Sequence, residues 1–447
     1  MVEVHIVLDI GKTNIKLTAL DDGARMLAEA RRANVAVSLP PYRQHDVERI
    51  WHWLLDTLRE WAGKYDVRTI VPVTHGATAA LVDDDGLVLP VLDYEVDLPA
   101  GGYEDVRPPF AETCSPALPA GLNLGRQLHW QGCAHADNFR RARHILMYPQ
   151  YWAWRLSGVA ACELTSLGCH TDLWQPHKRQ YSSLVGAMQW DSLMPPLHPA
   201  GAVLGKLLPA LASQTGLSPE CRVICGIHDS NASLLRHLAD GRKTVLSTGT
   251  WVIAAALDAP VHTLDERLDM LANVSAHGTP VSCMRFMGGR EFSVLAGAEP
   301  QVCSEADLAH LIARGTMALP CFAAIGGPFA GLAGRILGPE PQSAPERYAL
   351  ATLYCALMTD YCLERLDTGA PVVVEGSFTA NPYFARLLAA LRPAREISVS
   401  EDASGTTSGG WMLATGRALP GQPPAQVAEA LHVPALQAYA ERWQFSL

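Results

Sequence analysis

The chain has 447 residues, 49% of them hydrophobic and 18% charged, which excludes a disordered or solvating polypeptide. At roughly 150 residues per domain this length points to two or three domains, each large enough to bury its own core. Lys plus Arg number 35 against 45 Asp plus Glu, a formal net charge of −10, and no Lys/Arg-rich arm is present, so neither nucleic acid nor a membrane is expected as a partner.

Residues 4–8 are an apolar run of strand length leading into Asp9-Ile10-Gly11-Lys12-Thr13-Asn14; Ile15, Leu17 and Ala19 then alternate with Lys16 and Thr18 as a second strand. Ile50, Leu54, Leu58 and Trp61 predict a helix over 47–61. Residues 69–73 read as a strand ending in the loop Thr74-His75-Gly76-Ala77-Thr78, and the Pro- and Gly-rich stretch 98–119 as a long irregular insertion. Residues 221–225 form a strand that runs through Gly226 into a helix striped by Leu234, Leu235 and Leu238. Past mid-chain, 244–246 lead into Ser247-Thr248-Gly249-Thr250, and 251–257 return as a strand far short of the ~20 residues of a membrane span. The Gly-rich run from Gly326 to Gly334 reads as a loop, and a long amphipathic helix is predicted over 347–366. The strand 371–374 enters Glu375-Gly376-Ser377, while 397–399 precede a loop over 401–410 and a helix from Trp411. A Pro- and Gly-rich breaker at 420–424 opens a tail with no assigned element.

The two halves share one plan: a strand hairpin with a polar Gly turn, then two strands ending in Gly-containing loops. This predicts a duplicated α/β chain with domains 1–240 and 241–447. The 11 cysteines include no C-x-x-C pair, and 1–5 lack the basic start of a signal peptide, so a reduced, cytoplasmic protein is expected.

Gly11, Thr13 and Asn14, with the cations Lys12 and Lys16, can wrap donors around a phosphate, and Asp9 at the strand end can hold Mg²⁺. An ordinary Asn-containing turn with solvated lysines would look the same locally. Ser247, Thr248, Gly249 and Thr250 supply further hydroxyl and backbone donors half a chain away, so that two such hairpins could clamp one nucleotide across a cleft. Neither turn is a Walker loop, and no G-x-G-x-x-G follows a strand. Asp229 follows a strand and opens a helix beside Ser230 and Asn231. It reads either as a helix N-cap or as a base that accepts a proton from a substrate hydroxyl. Trp130, Trp152, Trp154 and Trp174 read as packing residues.

Together these motifs resemble the FGGY carbohydrate kinases, of the actin, Hsp70 and hexokinase ATPase superfamily, in the family's order along roughly the whole chain. Asp9 to Lys16 resembles the first phosphate motif, with Lys12 where many members carry Thr. Ser247 to Thr250 resembles the second, and Gly376, Ser377 and Asn381 the adenosine loop, with Glu375 in place of one Gly. His75-Gly76-Ala77-Thr78 is similar to the sugar-contacting loop of xylulose kinases. The resemblance implies two actin/ribonuclease H-like domains with an interdomain catalytic cleft, ATP and Mg²⁺ as cofactors, and a sugar, ketose or polyol, as substrate. It further implies that Asp229 is the catalytic base and, with Asp9, a metal contact. His75, Gly76, Tyr94, Glu95, His228 and Asp229 are then the sugar contacts. His228 stands where the family often has Gly, and Asp93-Tyr94-Glu95 replaces its usual Trp-x-Asp. Gly288-Gly289-Arg290-Glu291 reads either as a nucleotide-side segment, as in rhamnulose kinases, or as a helix-capping turn. The rival readings are a sugar-binding regulator and a non-sugar ATPase of the same fold. The sugar and the oligomeric state stay open, a homodimer among the options.

Overall fold

The computed structural model describes every residue except Ala100, Asp240, Arg242, Asp258, Pro260, His262, Asp367, Ala403, Gln422 and Pro423. Two compact units emerge. The first comprises Met1–Ala239, Ala272–Pro280 and Ser404–Gln422; the second comprises Asp240–Leu271, Val281–Ala403 and Pro423–Leu447. The boundary expected near residue 240 falls on Asp240, outside the described residues.

In the first unit, β1 (Val2–Ile10), β2 (Asn14–Leu20), β3 (Met26–Ala33), β4 (Tyr65–Thr74), β5 (Val203–Lys206) and β6 (Arg222–Ile224) form one sheet. Their order is β5-β6-β4-β1-β2-β3, and β7 (Ile227–His228) also pairs with β4. The expected hairpin is antiparallel and sets Asp9 opposite Lys16, while β1 and β4 run parallel. Val4, Ile6, Leu8 and Ile10 of β1 pack with Ile50, Leu54 and Leu58 of α1 (Val47–Ala62). Val7 points into a separate cluster with Trp411. Both faces of β1 are thus covered, which explains a continuous apolar run where a half-exposed strand would alternate. Asp46 caps α1 by accepting from the Arg49 N–H at 3.1 Å. The sequence reading missed β3, an edge strand whose exposed positions carry Glu29, Arg31 and Met26, because its side chains bury too little to leave an apolar signature.

The structure corrects the expected loop over 401–410: a helix, Gly405–Thr415, already begins inside it. Its glycines serve close packing rather than a turn. A Cβ at Gly409 would lie 2.0 Å from the Ala232 carbonyl oxygen, and one at Gly410 would lie 2.6 Å from a Val7 methyl. This helix is therefore wedged between β1 and α2 (Asp229–Leu238).

In the second unit, β8 (Thr244–Thr248), β9 (Val252–Leu257), β10 (Pro280–Phe286), β11 (Val372–Gly376), β12 (Ile397–Val399) and β13 (Gln426–Val427) run in the order β10-β9-β8-β11-β12-β13. Against them pack α3 (Gly288–Ala296) and α4 (Ala344–Arg365). Expected as amphipathic, α4 is instead buried on nearly every face from Tyr348 to Leu363, because α3 and other helices cover what the sheet does not. The unread tail contains α5 (Leu436–Phe445), which buries Leu436, Tyr439, Ala440 and Trp443, a regular helical stripe. The stretch 98–119 holds two single turns, Tyr103–Asp105 and Phe110–Thr113. Among the described residues no helix is long and apolar enough to cross a membrane.

Candidate functional site

The first unit gathers its chemistry at the C-terminal ends of β1, β4 and β7. His75 follows β4 and its N–H donates to the Ile10 carbonyl at 2.9 Å, tying that loop to the end of β1. The His75 Nδ1–H donates to the Gly76 carbonyl at 3.0 Å, which leaves Nε2 as an acceptor, buried and without a partner. His45 stacks 5.1 Å from His75, also with both ring nitrogens buried and unpartnered, and Tyr148 lies 5.1 Å from His75 on another side. Burial holds the imidazolium pKa values of His45 and His75 down to about 3 and about 4, against the raising effects of the Gly76 carbonyl and Asp229 at His75, so both rings are neutral at pH 7.

His228, not Asp229, occupies the N-cap position of α2, and Asp229 is the first helical residue. The N-cap alternative thus falls one residue earlier, although the Asp229 carboxylate still accepts the first-turn Ser230 N–H at 2.5 Å. Its Oδ1 accepts from the Ser230 hydroxyl at 3.1 Å, and its side chain is 30% exposed, so one face stays open to a ligand. Burial raises its pKa, against the lowering effects of His75 and the Ser230 N–H. Asn231 Nδ2 donates to His228 Nδ1 at 3.2 Å, which places the imidazole proton on Nε2, 3.3 Å from Asp229 Oδ1. Gly76 is needed here by close approach: a Cβ would lie 2.9 Å from His228 Nε2. The His228 N–H donates to Thr165 Oγ1 at 3.1 Å, and that hydroxyl donates to the buried carboxylate of Glu163 at 2.6 Å.

Burial lifts the Glu163 carboxyl to about 7, against the lowering effect of its Thr165 and Ser166 donors. A carboxyl whose folded pKa lies above its unfolded value binds more protons when folded, so its contribution to stability is full at low pH and is lost as pH rises through about 7. Melting temperature followed from pH 5 to pH 8 should therefore fall, and Glu163→Gln should flatten that slope.

Asp9 is buried at the end of β1 with Lys16 Nζ 2.9 Å from Oδ2. Its pKa is raised by burial first; Lys16 opposes this and the negative charge of Asp229 adds to it. Two carboxylates close enough to repel, with hard oxygen donors, suit a hydrated Mg²⁺, which needs only one or two carboxylates. Thr13 and Asn14 are exposed, and Asn34, which the sequence reading missed, pins the turn through Nδ2 to the Gly11 carbonyl at 2.7 Å. Lys12 is bonded to Asp93, lies 3.4 Å from Glu95 and sits 4.3 Å over the Tyr94 ring, which in turn lies 5.7 Å from His75.

The second unit brings Ser247 to Thr250 together with Gly376, Ser377 and Asn381. Thr248 Oγ1 is committed to the Glu375 carbonyl and accepts from the Phe378 N–H at 3.0 Å, which leaves Ser247 and Thr250 as the outward hydroxyls. Gly376 has φ 87°, and a Cβ there would lie 2.0 Å from the Thr248 carbonyl oxygen, so only glycine lets the two turns touch. Asn381 is spent internally: Oδ1 accepts from the Tyr383 and Phe384 N–H groups at 3.0 and 3.2 Å, and Nδ2 donates to Thr352. Beside these turns is a cavity of about 670 Å³, walled by Phe292, Tyr348 and Phe378 and reached by Gly249, Thr250 and Arg290. Arg290 is exposed and has no carboxylate partner among the described residues. In the same motif Glu291 turns inward to Tyr354 and to the Phe322 N–H at 2.9 Å. Gly288 to Glu291 thus form the first turn of α3, with one side chain facing the cavity and one anchoring the helix.

A further cavity of about 710 Å³ in the first unit, by Trp51, Tyr151 and Trp154, contains none of the residues nominated above, and its Glu48 and Asp83 already pair with Arg155 and Arg141.

The FGGY family of carbohydrate kinases, N-terminal domain, matches residues 118–235, and Carbohydrate kinase FGGY, C-terminal domain, matches residues 240–423. A carbohydrate kinase from Novosphingobium aromaticivorans, known from its crystal structure, is 39% identical with a TM-score of 0.92, covering 99% of this chain and 98% of that one. The chain belongs to the FGGY family of carbohydrate kinases. Both halves of this FGGY chain carry the family's domains on a mixed α/β, actin-like fold. It is 28% identical to L-fuculokinase of Salmonella typhi over 274 residues, and the match spans 58% of this chain and 58% of that relative's length. The xylulose kinase of Rhodospirillum rubrum, at 18% identity and TM-score 0.80 over 99% of this chain and 97% of that one, shares the fold.

Proposed function

We propose that this FGGY-family chain transfers the γ-phosphoryl group of ATP to a hydroxyl of an uncharged ketose or polyol, with Asp229 as general base. The observation that carries the reading is the state of Asp229. Its carboxylate is partly open, does not stand at the N-cap position, has a raised pKa and lies beside His75 and His228. As the acceptor oxygen attacks phosphorus, Asp229 takes the hydroxyl proton and ADP leaves with the displaced bond pair. His228 Nε2–H orients the carboxylate, and His75 Nε2 accepts from another hydroxyl of the sugar, with Tyr94 and Glu95 as further contacts. Lys16 and the first turn's backbone serve the phosphates. In the second unit, the outward hydroxyls of Ser247 and Thr250 and the aromatic walls of the cavity hold the nucleotide, with Asn381 shaping the loop rather than reading the base. Asp9, with Asp229 near it, would hold Mg²⁺, whose charge neutralises phosphate oxygens. The relatives named for L-fuculose- and xylulose-type substrates make ketoses the first choice.

ADP release measured across pentuloses, 6-deoxyketohexoses and polyols tests the reading. Sugar-dependent ADP supports it; ADP release indifferent to every sugar would mark a plain ATPase, and sugar-induced heat protection without turnover would mark a binding regulator. Arg290 offers an unpaired charge to the nucleotide, and hydrogen bonds to charged groups are worth about 1.5–3 kcal/mol before solvent screening reduces them. Arg290→Gln should raise KM for ATP roughly tenfold, at the low end of that range, and leave KM for the sugar unchanged in steady-state assays.

A further inference from the structure

Among the described residues of the first unit, Lys16, Lys12 and Arg43 are each matched to a carboxylate. Lys16 pairs with Asp9 at 2.9 Å. Lys12 bonds Asp93 Oδ1 and lies 3.4 Å from Glu95 Oε2. Arg43 Nε lies 3.0 Å from Asp93 Oδ2, and its Nη2 lies 3.4 Å from the same Glu95 oxygen. Two cations and two carboxylates from three separate stretches of chain thus close into one balanced network. Asp93 is fully buried within it: Oδ1 takes the Lys12 bond and the Glu95 N–H, Oδ2 has only the Arg43 ion pair, and a buried carboxylate is tolerated only when paired. The network continues into the acceptor residues. Lys12 packs on the Tyr94 ring, Tyr94 on His75, and the short strand Tyr42–His45 that carries Arg43 also carries His45, stacked on His75.

We propose that Lys12 serves the acceptor rather than the nucleotide. With Arg43 it holds Asp93 and Glu95 as a charge-balanced wall that positions Tyr94 and His75 for the hydroxyls of an uncharged sugar and leaves no cation for a sugar acid. The proposal rests on the kinase reading above and deepens it by naming the substrate class and the residue behind it. Its chemistry is simple. Glu95, half exposed, and the unprotonated Nε2 of His75 are hydrogen-bond acceptors, which suit O–H donors. A carboxylate placed among Glu95, Asp93 and Asp229 would meet like charges, and both Lys12 and Arg43 are already engaged with Asp93 and Glu95. Lys12 is a positioning residue in this scheme. Removing it leaves the buried Asp93 with one partner fewer and frees the Tyr94 loop.

The test uses the full chain with Lys12→Thr, Lys12→Met and, as the conservative variant, Lys12→Arg. Each is checked for folding by its melting temperature, with ATP and sugar varied separately. For Lys12→Thr and Lys12→Met the expected result is a tenfold or greater rise in KM for the best neutral sugar, KM for ATP within twofold of wild type, and partial recovery in Lys12→Arg. The wild-type enzyme should phosphorylate ketoses or polyols and leave aldonates such as gluconate untouched at equal concentration. A rise in KM for ATP with an unchanged sugar KM would return Lys12 to the phosphates and overturn the proposal. Turnover of an aldonate as efficient as that of the best neutral sugar would overturn the charge argument. If Lys12→Thr fails to fold, Glu95→Gln gives the same reading: it leaves a cation in excess, so aldonate turnover should appear or rise, and its absence counts against the proposal. Failure of the kinase reading looks different, because wild type would then release no sugar-dependent ADP with any member of the panel.

Discussion

Asp229→Asn is expected to lower kcat by about 10²–10⁴-fold, the usual contribution of a positioned general base, while the affinity for ADP stays near wild type. The amide keeps the shape and the Ser230 contact but cannot take a proton. Nucleotide affinity measured by calorimetry, together with single-turnover phosphoryl transfer, separates this from a folding defect; wild-type turnover in Asp229→Asn would remove the carboxylate from the chemistry. The pH profile carries the same information. Burial raises the Asp229 pKa, and the base must be ionised to act, so kcat/KM for the sugar should fall as pH drops through a value above the ordinary aspartate range. His228, held neutral by burial with a pKa of about 4, should contribute no second step near neutrality.

Gly409→Ala is expected to be the most damaging substitution remote from any ligand. Its Cβ would sit 2.0 Å from the Ala232 carbonyl oxygen, a backbone atom of α2 that cannot rotate away, so the helices must separate. Overpacking of this kind costs about 1–3 kcal/mol, and here the displaced helix begins with Asp229. A lower melting temperature together with a fall in kcat/KM larger than the stability loss explains is the expected result. Gly63→Ala is the control: Gly63 has φ −77° and nothing within 4 Å of an added Cβ, and it should behave as wild type. Equal behaviour of the two variants would show that the glycine contact does not hold α2 in place.

Much of the candidate site was legible because its signals are local. The hairpin through Asp9 and Lys16, the Ser247–Thr250 turn between β8 and β9, and Asp229 between β7 and α2 each combine an apolar run with turn chemistry in adjacent residues. Lys12 was nominated from the same local pattern and Asn381 from the family resemblance, and what their side chains bond was legible in neither. Asn381 satisfies backbone groups two and three residues on, while Lys12 meets a carboxylate 81 residues away. His45 and Arg43 carried no signal, since a polar hairpin strand acquires meaning only from what it packs against.

From the sequence alone came the α/β class, the two polar Gly turns, the carboxylate at the head of a helix and, through their order, the family. These depend on periodicity and turn preference, which act over a few residues. The tertiary structure decided which partner each charge takes, why Gly409 and Gly410 lie inside a helix, and why α4 is buried all round. Those outcomes depend on contacts between segments far apart in the chain. A buried charge or a close-packed glycine is settled by whichever distant group the fold brings beside it, and no local pattern encodes that choice.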